Sequence, residues 1–355
     1  MLCRQLLWAT DDSLKNVPAN VDQLDELCST PTAAVIEAVR ACDGAFAVLG
    51  AGGKMGFHLS LMLQKSLQAL GRYQPVATVS RFSDVETRRR FEDSGFDVLS
   101  ADLSNRVEVE NLPRWDNVFF LAGVKFGVGN NPALLVRMNI QMPGFVSQYF
   151  TSSRICALST GCVYSFTTAE SGGSSEESPT EPPGDYARSC IGRETTFHRA
   201  AEECGTRSSL IRLNYSNDLR YGVLVDIAQQ VRNGHPVDLS TGFVNVIWQG
   251  DAVAHTIQSM PHAAAPPFVV NVTGPSVVRV RDIANRFAEL FGKTATFTGS
   301  EQPTAWLSNA SQAHGLFGAP SVSLDTMIRW TAEWLENDGY VLNKPTQFHN
   351  RDGNY

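Results

Sequence analysis

The chain contains no CxxC pair, no block of basic residues and no internal repeat, and no stretch approaches the ~20 apolar residues of a membrane helix. Each absence removes a class of protein. The seven cysteines (Cys3, Cys28, Cys42, Cys156, Cys162, Cys190 and Cys204) are odd in number and scattered through 355 residues, which does not make a secreted disulfide framework. The seven histidines are equally dispersed, so no metal site is expected. With a net charge of -7 and no basic stripe, nucleic acid is not an expected partner. Only 18% of residues are charged while 43% are hydrophobic, too apolar a balance for a disordered chain. The opening Met1-Leu2-Cys3-Arg4 meets Asp11, Asp12 and Lys15 too soon for a secretory apolar segment. These absences lead us to expect a reducing, cytoplasmic protein without a membrane partner.

What is present is an alternation of short apolar runs and helical patterns. Residues 1–43 read as an N-terminal helical extension, with Thr30-Pro31-Thr32 as a helix start and an apolar stripe from Ala33 to Arg40. Ala45 to Leu49 is a continuous apolar run of the kind a buried parallel strand needs. Further strands are expected at Pro75–Ser80, Phe96–Leu99, Asn117–Leu121 and Ser153–Leu158, with helices between most of them. That alternation predicts an α/β fold with a doubly wound parallel sheet of the Rossmann type over residues 44–214. A smaller C-terminal α/β substrate-binding lobe is expected over 215–355, with segments returning to the sheet domain. A polar loop from Gly172 to Pro179 is too rich in breakers to be regular and suits the border of a site. Ser323 to Leu335 reads as a closing helix.

Between the first strand and the first long helix lies Gly50-Ala51-Gly52-Gly53-Lys54-Met55-Gly56. Glycines three apart let the backbone turn tightly and approach a pyrophosphate, and the following helix offers free N–H groups and a positive dipole end. Sites for NAD usually carry an acidic residue at the end of the second strand, where it holds the ribose 2′-hydroxyl. Here that position reads Ser80-Arg81, and Arg81 suits a 2′-phosphate. The expected cofactor is therefore NAD(P)(H), leaning to NADP(H).

Taken together, these segments resemble the extended short-chain dehydrogenase/reductase superfamily, the NAD-dependent epimerase/dehydratase group, from about Ala45 to Leu335. The glycine turn matches that group's signature. Asp102-Leu103 resembles its adenine-contacting pair, Leu121-Ala122-Gly123 the strand beside the cofactor, and Asn139 a structural asparagine. Ser159-Thr160-Gly161-Cys162-Val163-Tyr164 resembles the segment supplying the catalytic Ser or Thr, and Asp185-Tyr186-Ala187-Arg188-Ser189-Cys190 falls where the group has Tyr-x-x-x-Lys. The resemblance implies that Thr160 polarises a substrate oxygen and Tyr186 exchanges its proton. It also implies that Gly50, Gly53, Lys54, Met55, Gly56, Ser80, Arg81, Asp102, Leu103, Ala122, Gly123, Tyr186 and Cys190 lie along the dinucleotide. A homodimer through the helix around 186–204 is implied in the same way.

The departure is Cys190, which stands in place of the lysine that lowers the tyrosine pKa. An unperturbed phenol titrates near 10, so Tyr186 alone is a poor base at neutral pH. Three readings stay open: Lys125, just beyond Leu121-Ala122-Gly123, substitutes; Arg188 or Arg193, otherwise solvated helix charges, turns in; or the site binds a dinucleotide without turnover. Thr160 is followed by Gly161-Cys162 rather than the Asp-Glu of the resembling sugar-nucleotide 4,6-dehydratases, which argues against water elimination. Cys162 stands at the offset of the acid/base cysteine of GDP-fucose-synthase-like enzymes, or else packs as a small apolar residue.

Beyond Arg212-Leu213, the cluster Asn214, Tyr215, Asn217, Arg220 and Tyr221 offers amides and rings suited to sugar hydroxyls, with Arg220 suited to a phosphate or carboxylate. Trp248 is a second candidate at the pocket border. The expected activity is an NAD(P)-dependent epimerase or ketoreductase acting on a sugar, sugar acid or nucleotide sugar. A non-catalytic dinucleotide-binding protein is the alternative.

Overall fold

The computed structural model describes residues 16–126 and 131–353. The opening residues, including Cys3 and the Met1–Arg4 start, lie outside them. Seven parallel strands form one sheet. Five come in the order β1 (Phe46–Leu49), β2 (Ala77–Ser80), β3 (Asp97–Ser100), β4 (Asn117–Phe120) and β5 (Arg154–Thr160). The strands Arg207–Leu213 and Phe268–Val272 complete it. Spatially β3, β2, β1, β4 and β5 are followed by Arg207–Leu213 and then Phe268–Val272, so the order reverses at β1. A ligand crevice forms at such a reversal, beyond the carboxyl ends of β1 and β4. The sheet is the doubly wound α/β architecture that the strand–helix alternation predicts. The strand limits differ from the expected ones by only one or two residues.

β1 and β4 are buried on both faces, as their unbroken apolar runs require. Helices α1 (Val21–Ser29) and α2 (Ala33–Arg40) precede the sheet; α3 (Gly56–Ala69), α4 (Val85–Asp93) and α5 (Arg106–Glu110) follow its first strands. Thr32, not Pro31, begins α2: its hydroxyl accepts from the Val35 amide at 3.3 Å. Next come α6 (Pro132–Val136) and α7 (Met142–Tyr149), joined by a π turn at Arg137–Gln141. The long α8 (Asp185–Cys204) carries Tyr186 in its first turn.

A second core lies outside the sheet, built from α9 (Val223–Arg232), α11 (Val280–Leu290), α13 (Leu324–Glu336) and several two-residue strands, whereas α10 (Gln249–Gln258) and α12 (Ser311–Phe317) pack into the sheet's own core. Ile227, Phe287, Ile328, Trp330 and Trp334 fill it, and Leu24 of α1 reaches in from the N-terminal segment. Ser323 caps α13 by accepting from the Thr326 amide. Among the described residues no helix is long and apolar enough to cross a membrane, and no cluster of three His, Cys, Asp or Glu is placed to hold a metal.

One buried polar network ties the N-terminal segment, the glycine-turn helix and the second core together. Asp25 of α1 lies 2.7 Å from His58 of α3 and 3.1 Å from Arg220, and it also pairs with Arg90 of α4. Gln249 of α10 donates to His58 Nδ1 at 2.7 Å, which leaves Nε2–H for Asp25. Burial works against ionising Asp25, but the His58 hydrogen bond and the Arg90 and Arg220 charges outweigh it, so its pKa lies below the ordinary carboxylate range. Removing one partner of a buried ion pair leaves the other charge stranded. Asp25→Asn is therefore expected to destabilise the fold by about 3 kcal/mol in urea denaturation. The Asp25 contribution is present above its unfolded pKa of about 3.9 and fades as pH falls toward the lower folded value, so the gap between variant and native protein narrows in acid. An unchanged urea midpoint at pH 7 would contradict this account.

Candidate active site

At the end of β1 the chain turns at Gly50 with φ +85, and a Cβ there would stand 2.6 Å from the Ala122 amide nitrogen beyond β4. A side chain is excluded twice, by conformation and by space. Gly56 lies against the Ala51 backbone, where a Cβ would collide with the Ala51 carbonyl. The N-terminus of α3 has no side-chain cap, so its first N–H groups remain for a ligand.

A cavity of about 250 Å³ opens from this turn along Ser80, Arg81, Asp102, Leu103, Ala122 and Gly123. Asp102 is held in place: its carboxylate accepts from the Ser104 amide (2.9 Å) and hydroxyl (2.7 Å) and lies 3.6 Å from Arg137. Burial opposes ionisation of Asp102, yet Ser104, Arg137 and Arg81 together hold its pKa below the usual value. These residues form a polar slot that runs from the glycine turn past the ends of β2 and β3. The uncapped helix end suits phosphates, and Arg81 is the charged group at the end of β2.

A second cavity, about 360 Å³, adjoins the first and shares Gly53, Leu121 and Gly123 with it. Thr160 at the end of β5, Cys162, Lys125 and Tyr186 all line it, as do Asn214, Tyr215, Lys54 and Met55. The four residues expected to carry the chemistry are thus brought together. Lys125 Nζ lies 5.6 Å from the centre of the Tyr186 ring. Its loop is fixed by Asn139, whose amide accepts from Val124 N (3.0 Å) and donates to Val124 O (2.9 Å). Asn139 sits in the π turn, a distortion often found where a side chain must be aimed.

Burial pushes the Tyr186 phenol well above its usual range; the Cys190 and Cys162 thiols add to the shift, and the Arg193 charge opposes it. Burial also lowers the Lys125 ammonium, while the same two thiols favour its charged form. Lys54 Nζ stands 2.9 Å from the centre of the Tyr221 ring, a cation–π contact. Burial, with Lys344 and Lys125 nearby, lowers its pKa to about 7.

Several expected site residues are placed differently. Cys190 lines neither cavity; it is fully buried behind Tyr186 with Val163 and Tyr164. Lys54, Met55 and Gly56 line the second cavity rather than the slot beside Ser80 and Asp102. Arg220 is no substrate arm: its guanidinium is taken up by Asp218 and Asp25. Trp248 packs edge-on against Trp330 in the second core and does not border the cavity. Asn214 reaches the wall, but its amide nitrogen is bound to Asn245 and the Trp306 carbonyl. Arg193, expected in solvent, is buried, whereas Arg188 stays exposed and pairs with Asp185 at 3.0 Å.

Sequence reasoning missed Thr346, which lines the second cavity from the C-terminal tail and donates its hydroxyl to Asp226. Nothing in its local sequence marks it. The tail passes on to Arg351, which binds the Thr304 carbonyl and hydroxyl, and to Gly353, which packs on Gly184 at the start of α8.

The fold is a doubly wound, Rossmann-type α/β arrangement: a seven-stranded parallel sheet with a glycine turn, joined to a second, smaller core. No protein-family model and no curated protein sequence matches the chain. Solved structures do. A UDP-galactose 4-epimerase is 22% identical, with TM-score 0.66, covering 83% of this chain and 99% of its own. A Bacillus cereus UDP-glucuronic acid 4-epimerase, solved with UDP-glucuronic acid and NAD, is 18% identical, with TM-score 0.67 and coverage of 82% and 99%. A Thermus thermophilus UDP-glucose 4-epimerase in complex with NAD is also 18% identical, with TM-score 0.66 and the same coverage.

The environment of Lys54 gives a direct test. Ordinary lysines titrate near 10.4 and resist acylation at neutral pH. Competitive acetylation from pH 6 to 9, read by mass spectrometry, is expected to place the Lys54 midpoint near 7. Labelling of Lys54 at the rate of exposed lysines would refute the placement of its ammonium.

Proposed function

We propose that the protein converts a sugar, sugar acid or nucleotide sugar by hydride transfer at a carbinol or carbonyl carbon, using a nicotinamide dinucleotide. The observation that carries this reading is the convergence of Thr160, Tyr186, Cys162 and Lys125 on one cavity that adjoins the glycine-turn slot. The slot residues Gly50, Gly53, Ser80, Arg81, Asp102, Leu103, Ala122 and Gly123, with Gly56 at the start of α3, would hold the dinucleotide, which when bound supplies the hydride acceptor and donor. In this reading Thr160 orients the substrate oxygen through its hydroxyl. Tyr186 takes or returns the proton on that oxygen. Lys125 places a positive charge beside the Tyr186 ring, which favours the ionised phenol. Cys162, on the same wall, handles a proton on the adjacent carbon, and that step distinguishes an epimerase from a simple ketoreductase. No Asp or Glu lines this cavity among the described residues, whereas Lys54 and Lys125 do. That balance suits a substrate bearing a carboxylate or phosphate. Arg81, with no carboxylate at the end of β2, supports NADP(H) over NAD(H).

Two measurements test this reading. Calorimetric titration is expected to show binding of both NADPH and NADH, tighter for NADPH, with Arg81→Ala removing about tenfold of the NADPH preference. Tighter binding of NADH would discard the 2′-phosphate argument. Next, the protein is incubated with the dinucleotide and UDP-galactose, UDP-glucuronic acid or free sugar acids, and products are read by proton NMR. Tyr186→Phe is expected to lower turnover at least ~100-fold while leaving dinucleotide affinity intact. Full activity in that variant would overturn the mechanism. Dinucleotide binding without turnover of any such substrate would favour the non-catalytic alternative.

A further inference from the structure

The helix that carries Tyr186 also carries a buried cation that has no ion-pair partner among the described residues. Arg193 lies two turns beyond Tyr186 on α8 and is 7% exposed. It donates to the Leu158 carbonyl at 2.7 Å and to Asn139 Oδ1 at 2.8 Å, both uncharged acceptors. Its Nε–H has no partner among the described residues. The neighbouring carboxylate, Glu194, is committed elsewhere, to Arg212 at 2.7 Å and to the Ser159 hydroxyl. Burying a guanidinium without a carboxylate is costly, so the fold carries a net positive charge here that it does not cancel.

The surroundings show where that charge acts. The guanidinium lies beneath Gly123, where any Cβ would collide with it, and Gly123 is shared by the two cavities. Leu158 precedes Thr160 on β5 by two residues, and Asn139 grips both backbone groups of Val124, next to Lys125. One side chain thus braces the strand of Thr160, the loop of Lys125 and the helix of Tyr186. The other titratable or charged groups around Tyr186 are the Cys190 and Cys162 thiols, which disfavour an ionised phenol, and the Lys125 ammonium over its ring.

We propose that Arg193 is the positioning residue for proton transfer at Tyr186: its uncancelled buried charge stabilises the ionised phenol, and its grip on Asn139 sets the Lys125 loop. The proposal rests on the reading of Tyr186 as the proton carrier. It differs from that reading in what it predicts, because it concerns the ionisation of one phenol whether or not a sugar turns over.

The test places 3,5-difluorotyrosine at position 186, whose more acidic phenol ionises while the protein is still folded, and follows its fluorine resonance against pH. Arg193→Gln removes the charge but keeps a donor for Asn139 or Leu158; Arg193→Lys keeps the charge. The Gln variant is expected to raise the midpoint by about one pH unit, a tenfold loss in ionisation constant. The Lys variant is expected to stay close to the native midpoint, and circular dichroism confirms that each variant is folded. An unmoved midpoint in folded Arg193→Gln overturns the proposal. Should the Gln variant fail to fold, the Lys variant decides: a native midpoint supports the charge role, and a midpoint raised by a full unit overturns it. Turnover of Tyr186→Phe, measured separately, speaks only to the proton-carrier reading, so the two failures are distinguishable.

Discussion

Everything around the site depends on one close approach, the Gly50 backbone against Ala122. β1 and β4 are neighbours in the sheet, and their carboxyl ends leave it at the point where strand order reverses. Because Gly50 has no side chain, the turn after β1 can fold over the chain after β4. That contact sets the shared wall of the two cavities at Gly53, Leu121 and Gly123. It also sets where the next residues of the β4 loop lie, and Lys125 is among them. A turn whose glycines line the slot on one side therefore positions the candidate proton chemistry on the other.

The parts of this arrangement legible in the sequence are those written locally. A strand buried on both faces must be apolar at every position, and Phe46–Leu49 is. A tight turn into a helix N-terminus needs glycine, and the spacing of Gly50, Gly53 and Gly56 shows it. What stayed hidden depends on partners far along the chain. Arg220 reads as a substrate arm until Asp25, 195 residues away, is brought against it. Trp248 reads as a pocket wall until Trp330 packs edge-on against it. Thr346 enters the cavity because the tail crosses back over the fold, and no pattern around it records that path. The polarity of a residue is local information; the identity of the group that neutralises it is not.

Arg193 illustrates the same point in the opposite direction. On α8 it belongs to a helix whose other arginines, Arg188 and Arg199, are exposed and paired with acids three or four residues away. Helical spacing leaves Arg193 with no acid three or four residues away, but it does not say what the guanidinium meets instead. Only the fold shows that the adjacent Glu194 turns to Arg212 and that Asn139 arrives from a π turn more than fifty residues earlier. The loss of a cation at position 190 thus looks decisive when the Tyr186 helix is read by itself. It is less so in three dimensions, where Lys125 lies over the Tyr186 ring and Arg193 is buried two turns along the same helix.

The N-terminal helices complete the argument about rigidity. α1 and α2 pack on α3 and α10, and Asp25 joins α3, α4 and the Arg220 loop through buried charge. α3 begins at the last glycine of the turn, and Gln249, which reaches His58 on α3, also lines the second cavity. A shift of the second core relative to the sheet would therefore have to break ion pairs from which water is excluded, an expensive motion. The C-terminal tail from Lys344 to Gly353 lies outside this network. The tail crosses the cavity at Thr346 and is held by hydrogen bonds to Asp226 and Thr304 rather than by a buried charge cluster. Thr160, Tyr186 and Lys125 stand outside the Asp25 network, on elements joined instead by the hydrogen bonds of Asn139 and Arg193 to Val124 and Leu158.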